Sequence, residues 1–203
     1  MLRVGLTGGI ACGKSTVAEM LLRRGAHCLS ADTLAHRLYA PGTVVFDELV
    51  RRFGRVILNE DASINRAKLA QAVFPDRVAE LNTIVHPAVI EAQTRWMSDI
   101  QRQDQHGIAV VEAALLIEAG AQKDFDKVIV VTCPFEHKVE RYACRTGLSL
   151  ELARTDVERR SAAQMSDEEK ARHADYVIDN SGSLLELEQR VDKVWRELRA
   201  ISH

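Results

Sequence analysis

Gly8, Gly13, Lys14 and Ser15 follow the spacing G-x-x-x-x-G-K-[ST] near the start of the chain. In this pattern a glycine-rich loop leads into a helix, whose first backbone N–H groups have no partner within the helix and point towards an anion. The lysine adds a positive charge at the β- and γ-phosphates of a nucleotide, and the serine hydroxyl is a ligand for Mg²⁺. The spacing predicts a site for a nucleoside triphosphate with Mg²⁺; a glycine-rich turn with an incidental lysine is the alternative.

The residues around this loop predict the elements that hold it. Residues 2–6 are a short, mostly apolar run typical of a strand, and Val17, Met20 and Leu21 give the segment after the loop the apolar face of a helix. Within the loop, Cys12 would lie near the helix N-terminus, where thiol pKa values tend to fall. We interpret it first as a small filler side chain and second as a reactive thiol.

Four further segments have strand patterns, at residues 26–30, 108–111, 127–132 and 176–178. Helical patterns separate them, and this alternation predicts an α/β fold with a five-stranded parallel sheet and helices on both faces. Residues 43–105 have helical spacing, which predicts a helical subdomain inserted between two strands. A polar, arginine-rich helical stretch precedes the last strand, and capping-box patterns at Ser166 and Ser183 mark helix starts.

Two carboxylates follow predicted strands, and the ligands of open parallel sheets lie at the carboxyl ends of the strands. Asp32 is placed to orient, or accept a proton from, an alcohol that attacks a γ-phosphate. The alternative is that it is the N-cap of the helix that follows. Glu112 could hold Mg²⁺ through its water shell, or be a solvated carboxylate at a strand end.

A basic helix face is the remaining feature that could carry chemistry. Lys138, Arg141 and Arg145 are spaced i, i+3 and i+7, so they share one face, and Arg159 and Arg160 lie on the next helix. Such a hairpin could neutralise the charge of a phosphoryl-transfer transition state and exclude water. A solvated charged helix is the alternative, because glutamates are interspersed. In the helical insertion, His86 could either meet a substrate phosphate or cap a helix.

Composition limits the function classes. The chain has 203 residues, 46% of them apolar and 28% charged, as expected for one well-cored globular domain with room for a smaller appendage. A net charge of −2 gives no bulk attraction to nucleic acid or anionic lipid, and we expect neither as a partner. We expect a cytoplasmic protein without a targeting or membrane segment. Its four widely spaced cysteines predict reduced thiols rather than a zinc site.

The same residues stand in motifs that resemble the dephospho-coenzyme A kinase family. The resemblance covers nearly the whole chain in order: residues 5–10 (GLTGGI), 13–17 (GKSTV), 31–32 (AD), His36, 41–42 (PG), 81–87 (LNTIVHP), 115–118 (LLIE), Arg141, Arg145, Arg160, Gln164 and 174–182 (ADYVIDNSG). Together these motifs are far more specific than the phosphate loop alone.

The resemblance implies a P-loop nucleotide kinase that transfers the γ-phosphate of ATP to the ribose 3′-hydroxyl of dephospho-coenzyme A. It implies ATP and Mg²⁺ as cofactors, and the last step of coenzyme A synthesis as the place of the reaction. It also implies three parts: a nucleotide-binding core of residues 1–34, 106–135 and 174–203, a helical acceptor domain of residues 35–105, and a helical lid of residues 136–173. Whether the protein is a monomer or a small homo-oligomer stays open.

The spacing and the resemblance together give one set of site predictions. The expected catalytic residues are Asp32, Lys14, Arg141 and Arg145. The expected ATP-binding residues are Gly9, Ile10, Ala11, Cys12, Gly13, Lys14, Ser15 and Thr16, and the expected Mg²⁺ ligands are Ser15 and Glu112. The expected acceptor-binding residues are Thr7, Asp32, His36, His86, Leu115 and Glu118.

The chain departs from the family pattern at three places. Ser30 stands where an acidic residue usually precedes Ala-Asp, which leaves Asp32 as the sole candidate base there. Ala11 and Cys12 replace the usual Gly-Ser, and Ala114 replaces a proline, which could loosen the local loop geometry.

Three other functions compete with this one. Another small-molecule P-loop kinase would act on a nucleoside monophosphate or a sugar. A GTP-dependent switch would carry a guanine-selective N-K-x-D element, which the sequence lacks. A regulator without catalytic activity would bind ATP and would not depend on Asp32.

Overall fold

The computed structural model describes residues 1–202. The strands within this range are β1 (Leu2–Gly8), β2 (His27–Ser30), β3 (Ile108–Glu112), β4 (Lys127–Thr132) and β5 (Tyr176–Asp179). The α-helices are α1 (Lys14–Arg23), α2 (Ala31–Leu38), α3 (Val44–Phe53), α4 (Arg66–Val73), α5 (Val78–Gln103), α6 (Phe135–Thr146), α7 (Leu150–Ala162), α8 (Asp167–Ala171) and α9 (Leu184–Ile201). Short 3₁₀ helices cover Arg55–Ile57 and Ala121–Asp124. None of the described helices is long and apolar enough to cross a bilayer.

The chain divides into two compact units. One comprises Met1–Leu29 together with the chain from Asp99 onwards, and the other is Ser30–Ser98.

The first unit is built on the sheet, whose strand order is β2-β3-β1-β4-β5. The prediction of an α/β fold with a five-stranded parallel sheet is confirmed. β1 pairs in parallel with both β3 and β4, and Leu6 aligns with Glu112 on one side and with Ile129 on the other. Because these strands are parallel and in this register, the loops after β1, β3 and β4 leave the sheet at the same edge.

Apolar side chains cover both faces of this sheet. One face packs Val4, Leu6, Ile129 and other strand residues against α1 and α9, whose buried side chains include Val17 and Leu198. The other face packs Val128 and Val130 against Leu116 and Ile117 from the loop after β3, and α8 lies against β4 on that side. Burial on both faces explains why the strands are continuous apolar runs rather than alternating ones.

The second unit is helical. Helices α3, α4 and α5 confirm the helical pattern that was predicted for residues 43–105. Its core joins α3, α4 and the first half of α5 through side chains at helical spacing. The buried members are Val45, Leu49, Phe53, Ile57, Leu69, Val73, Val85 and Val89.

Helix starts agree with the capping patterns of the sequence. Ser166 and Ser183 each accept a hydrogen bond from the backbone N–H three residues later, and Glu169 and Glu186 bond back to the cap N–H. Both predicted capping boxes are therefore confirmed, and they fix the start of α8 before β5 and the start of α9 after it.

We expect Leu49→Ala to lower the free energy of unfolding by about 2–5 kcal/mol, because Leu49 is fully buried and the substitution leaves a cavity. Val44→Ala is the matched control on the same helix: Val44 is 79% exposed, so a change within about 0.5 kcal/mol is expected. Urea unfolding followed by circular dichroism measures both. Equal losses in the two variants would contradict the described core of the helical unit.

Candidate active site

The phosphate loop, residues 8–15, connects β1 to α1. Gly13 is the N-cap of α1 and has a φ of +99°, a conformation that residues with a Cβ rarely adopt. A Cβ at Gly13 would also lie 2.2 Å from Nδ2 of Asn180. Since Gly13 offers no side chain to cap the helix, the first N–H groups of α1 remain available to an anion.

One contact supports the conformation of the loop, and one residue in it is strained. The Lys14 ammonium donates to the carbonyl oxygens of Gly8 at 3.1 Å and Gly9 at 3.0 Å, so the side chain folds back over the loop that it follows. Ala11 has a φ of +53°, in the left-handed region that costs a residue with a Cβ about 1–2 kcal/mol. The departure from glycine at this position therefore stores backbone strain beside the expected phosphate site.

Ser15 and Glu112 meet at the edge of the sheet where β3 ends. The Ser15 hydroxyl donates to Oε1 of Glu112 at 2.9 Å. A hydroxyl and a carboxylate are the oxygen donors that Mg²⁺ takes, and this ion is usually bound by one or two protein oxygens together with substrate phosphates and waters. The residues present therefore fit the predicted metal. The contact also argues against a Glu112 that is only solvated.

Cys12 is a buried residue rather than an activated thiol. Its side chain is inaccessible to solvent, and burial raises the pKa of the thiol. The lowered pKa that the helix N-terminus suggested is wrong, because loss of hydration of the thiolate outweighs the attraction of nearby positive charge. The small-filler interpretation agrees with this burial.

The backbone of Cys12 is the point where three parts of the chain meet. Its carbonyl oxygen accepts hydrogen bonds from Nδ2 of Asn180 at 2.8 Å and from Nη1 of Arg141 at 3.4 Å. Nη2 of Arg141 in turn donates to the Asn180 carbonyl oxygen at 2.9 Å. Arg141 therefore lies against the phosphate loop, and for this residue the alternative of a solvated charge is wrong. We did not predict Asn180 as a site residue, although it follows β5 at the carboxyl edge of the sheet.

Lys138, one turn before Arg141, also faces the loop. It is buried and forms an ion pair with Asp167 of α8 at 2.8 Å. Nearby, the apolar side of α6 and α7 packs against Ile10 and Ala11. One face of α6 thus follows the loop along much of its length.

Arg145 differs from the two basic residues that precede it, because it is exposed and its guanidinium lies 5.3 Å from the centre of the Tyr142 ring. Arg160 approaches the same ring at 5.7 Å. The Tyr142 hydroxyl donates to Asp156, and this bond together with Arg159 lowers the pKa of Asp156 to about 2. Asp156 therefore stays ionised and holds Arg159 and Arg160, while Arg145 is held by contact with a ring.

The loop after β3 brings together three of the predicted acceptor residues. Thr7 is buried and donates to the Ala114 carbonyl oxygen at 3.3 Å. Lys170, which is fully buried, donates to the same oxygen at 3.0 Å and pairs with Glu118 at 2.9 Å. Glu118 also accepts from the backbone N–H of Met165, whereas Leu115 is exposed. Lys170 and the Thr7 hydroxyl thus hold this loop at Ala114, where the family's usual proline is absent.

In the helical unit, Asp32 is the second residue of α2 and is exposed. Ser30 is the N-cap of this helix, since its hydroxyl accepts from the Thr33 N–H at 3.3 Å. The alternative that Asp32 is the N-cap is therefore wrong. His36 is exposed one turn later, on the same side of the helix, and its ring lies 6.4 Å from that of Tyr39.

His86 lies inside α5, where it is exposed. A residue in the interior of a helix cannot cap it, so the capping alternative is wrong. His86 lines an open groove of about 630 Å³ together with Asn82, Thr83, Pro87, Ile90 and Glu91.

Similarity to known proteins extends over nearly the whole chain. A dephospho-CoA kinase from Aquifex aeolicus is 46% identical over 203 residues, which is 98% of each chain. Among solved structures, a Thermus thermophilus protein superposes with a TM-score of 0.80 at 34% identity and 97% coverage of both chains. The dephospho-CoA kinase of Campylobacter jejuni superposes with a TM-score of 0.70 at 29% identity, covering 98% of this chain and 97% of the other.

The model of one protein family, described as dephospho-CoA kinase (CoaE), matches residues 2–186. This match spans the phosphate loop, the helical unit, helices α6 to α8 and strand β5. The chain therefore belongs to the dephospho-CoA kinase family.

Proposed function

We propose that this kinase transfers the γ-phosphoryl group of ATP to the ribose 3′-hydroxyl of dephospho-coenzyme A, giving coenzyme A and ADP. The observation that carries the proposal is the phosphate loop, in which Lys14 donates to two carbonyl oxygens of the loop and Ser15 donates to Glu112. The chain belongs to the dephospho-CoA kinase family, and this membership is the reason for proposing dephospho-coenzyme A as the acceptor.

The donor half of the proposed site is the loop itself. Backbone N–H groups of residues 9–16 bind the phosphates of ATP, and Lys14 places its charge at the β- and γ-phosphates. Ser15 and Glu112 would hold Mg²⁺, which when bound neutralises charge on the phosphate oxygens. Arg141, anchored beside Cys12, and Arg145, on the Tyr142 ring, add positive charge for the transition state. Residues 136–173 serve as the lid that carries both arginines.

The acceptor half is proposed to use the helical residues 35–105 and the loop after β3. Asp32 orients the acceptor hydroxyl and takes its proton, a role for which an exposed carboxylate outside the N-cap position is available. His36 and His86 bind acceptor groups, the latter from the groove on α5. Thr7 contributes from the end of β1, and Leu115 and Glu118 contribute from the loop after β3, where Oε2 of Glu118 is buried and has no hydrogen-bond partner among the described residues.

Residues 1–34, 106–135 and 174–203 form the nucleotide-binding core in this proposal. The protein acts in the cytoplasm as a monomer or small homo-oligomer. The four cysteines are unbridged, which is in keeping with a reducing compartment.

The acceptor is tested by ADP release after ATP and Mg²⁺ are mixed with dephospho-coenzyme A, AMP, gluconate or shikimate. We expect release with dephospho-coenzyme A and only background release with the other three. Faster release with AMP or a sugar would assign the chain to another class of small-molecule kinase. Absence of release with dephospho-coenzyme A would refute the proposal.

Asp32→Asn is expected to lower kcat by roughly 10²–10⁴, the usual range for a lost general base, while the Kd for ATP changes little. Asp47→Asn is a matched control, because Asp47 is also an exposed aspartate in the first turn of a helix of the same unit. Steady-state kinetics and calorimetric ATP binding measure both effects. A kcat equal to that of the parent would remove Asp32 from the chemistry.

Gly13→Ala is expected to lower kcat/KM for ATP by roughly 10²-fold, because a displacement of about 1 Å in a positioning element can have that effect. Gly25→Ala is the control that separates the clash of a new Cβ with Asn180 from the strain of a positive φ. Gly25 has nearly the same φ, +101°, but open space where the Cβ would lie. We expect it to lose about 1–2 kcal/mol of stability and keep its kcat/KM. Similar kinetic losses in both variants would show that strain, rather than the contact with Asn180, explains the glycine.

A further inference from the structure

A buried ion pair lies behind the phosphate loop. Nζ of Lys138, on α6, is 2.8 Å from Oδ2 of Asp167, the first residue of α8, and the two side chains are only 10% and 15% exposed. Oδ2 also accepts a weak hydrogen bond, at 3.5 Å, from the backbone N–H of Cys133 after β4. Charges this deep are poorly screened by solvent, so each depends on the other for its stability.

The pair is in contact with one residue of the loop. A Cβ built on Gly9 would lie 2.8 Å from Nζ of Lys138 and 2.8 Å from Oδ1 of Asp167. Both charged groups therefore fill the space that a side chain at this position would need. The Gly9 carbonyl oxygen, in turn, is one of the two that Lys14 binds. The ion pair and Lys14 thus meet at the same residue, Gly9.

The two charges have opposite effects on a polyphosphate. A buried carboxylate beside Gly9 would repel the phosphates of ATP through a medium of low dielectric constant, and Lys138 cancels that repulsion. Asp167 contributes in another way, since it joins α8 to the end of β4 through the Cys133 N–H. The position of Asp167 next to an anion-binding loop is tolerable only while Lys138 neutralises it.

We propose that Lys138 is a positioning residue for the ATP site: it holds Asp167 beside Gly9 and compensates its charge, so that the loop can accept a polyphosphate. This inference rests on ATP as the donor in the proposed function. It is distinct from the role proposed for Arg141 and Arg145, because Lys138 acts from behind the loop through Asp167 and Gly9.

The test is calorimetric ATP binding in the presence of Mg²⁺, without acceptor. Lys138→Met leaves Asp167 uncompensated, and we expect the Kd for ATP to rise roughly tenfold, as for unit charges about 10 Å apart at an effective dielectric constant of about 20. Asp167→Asn leaves Lys138 uncompensated, and by the same estimate the Kd is expected to fall roughly tenfold. A purely structural pair would give changes of the same sign in the two variants, because both would loosen the same contact.

Lys127→Met is the matched control. It removes the 2.9 Å ion pair of Lys127 with Asp175, which lies at the opposite end of β4, and should leave the Kd for ATP within twofold of the parent value. Thermal unfolding shows which variants are folded. If Lys138→Met does not fold, the direction of the change in the Kd for ATP in Asp167→Asn decides alone. A Kd within twofold of the parent in either folded variant, or a rise in Asp167→Asn, overturns the inference. Because no acceptor is present, a failure of the proposed acceptor reaction would leave this result unaffected.

Discussion

The first unit of the structure depends on one constraint, which is that a short loop must present backbone N–H groups to several negative charges. The conformation that achieves this is unfavourable in isolation, since Ala11, a residue with a Cβ, has a positive φ. Contacts from other parts of the chain offset it. Lys14 binds the carbonyl oxygens at the start of the loop, and Asn180 and Arg141 bind the carbonyl oxygen of Cys12. These contacts hold the loop in one shape, which reduces the ordering cost of binding.

The sheet makes these contacts possible. Parallel pairing in a fixed register brings the carboxyl ends of β1, β3, β4 and β5 to one edge. Glu112 ends β3 and Asn180 directly follows β5, so the two are far apart in sequence, and both meet the segment that follows β1. The edge therefore combines an acidic group suited to a metal with amide and guanidinium groups that hold the loop. A mixture of both charge signs suits a site for a metal–nucleotide complex better than a uniformly basic one would.

Local patterns in the sequence predicted the parts of this arrangement that short-range physics determines. The phosphate loop, the strands and the capping boxes at Ser166 and Ser183 depend on residues within a few positions of each other. The ion pair of Lys138 with Asp167 and the role of Asn180 depend on contacts across 29 and 168 positions, for which no local pattern exists. Cys12 shows a different limit: its position in the helix suggested a lowered pKa, but burial, which only the tertiary structure defines, raises it. The uses of Asp32, His36 and His86 stay predictions.

The basic face of α6 shows why identical spacing does not give identical roles. Lys138 is buried in an ion pair, Arg141 is bound to backbone oxygen atoms, and Arg145 lies exposed on an aromatic ring. The three side chains therefore differ in the interactions that each would lose on turning towards a phosphate. Lys138 would leave a buried carboxylate unpaired, and Arg141 would leave two carbonyl oxygens with fewer donors. Arg145 would lose only a contact with a ring that Arg160 also approaches. Arg145 is therefore the member of this face that can turn towards a phosphate at the smallest energetic cost, whereas Arg141 would add its charge from its fixed place beside Cys12 and Lys138 supports the loop through Asp167 and Gly9.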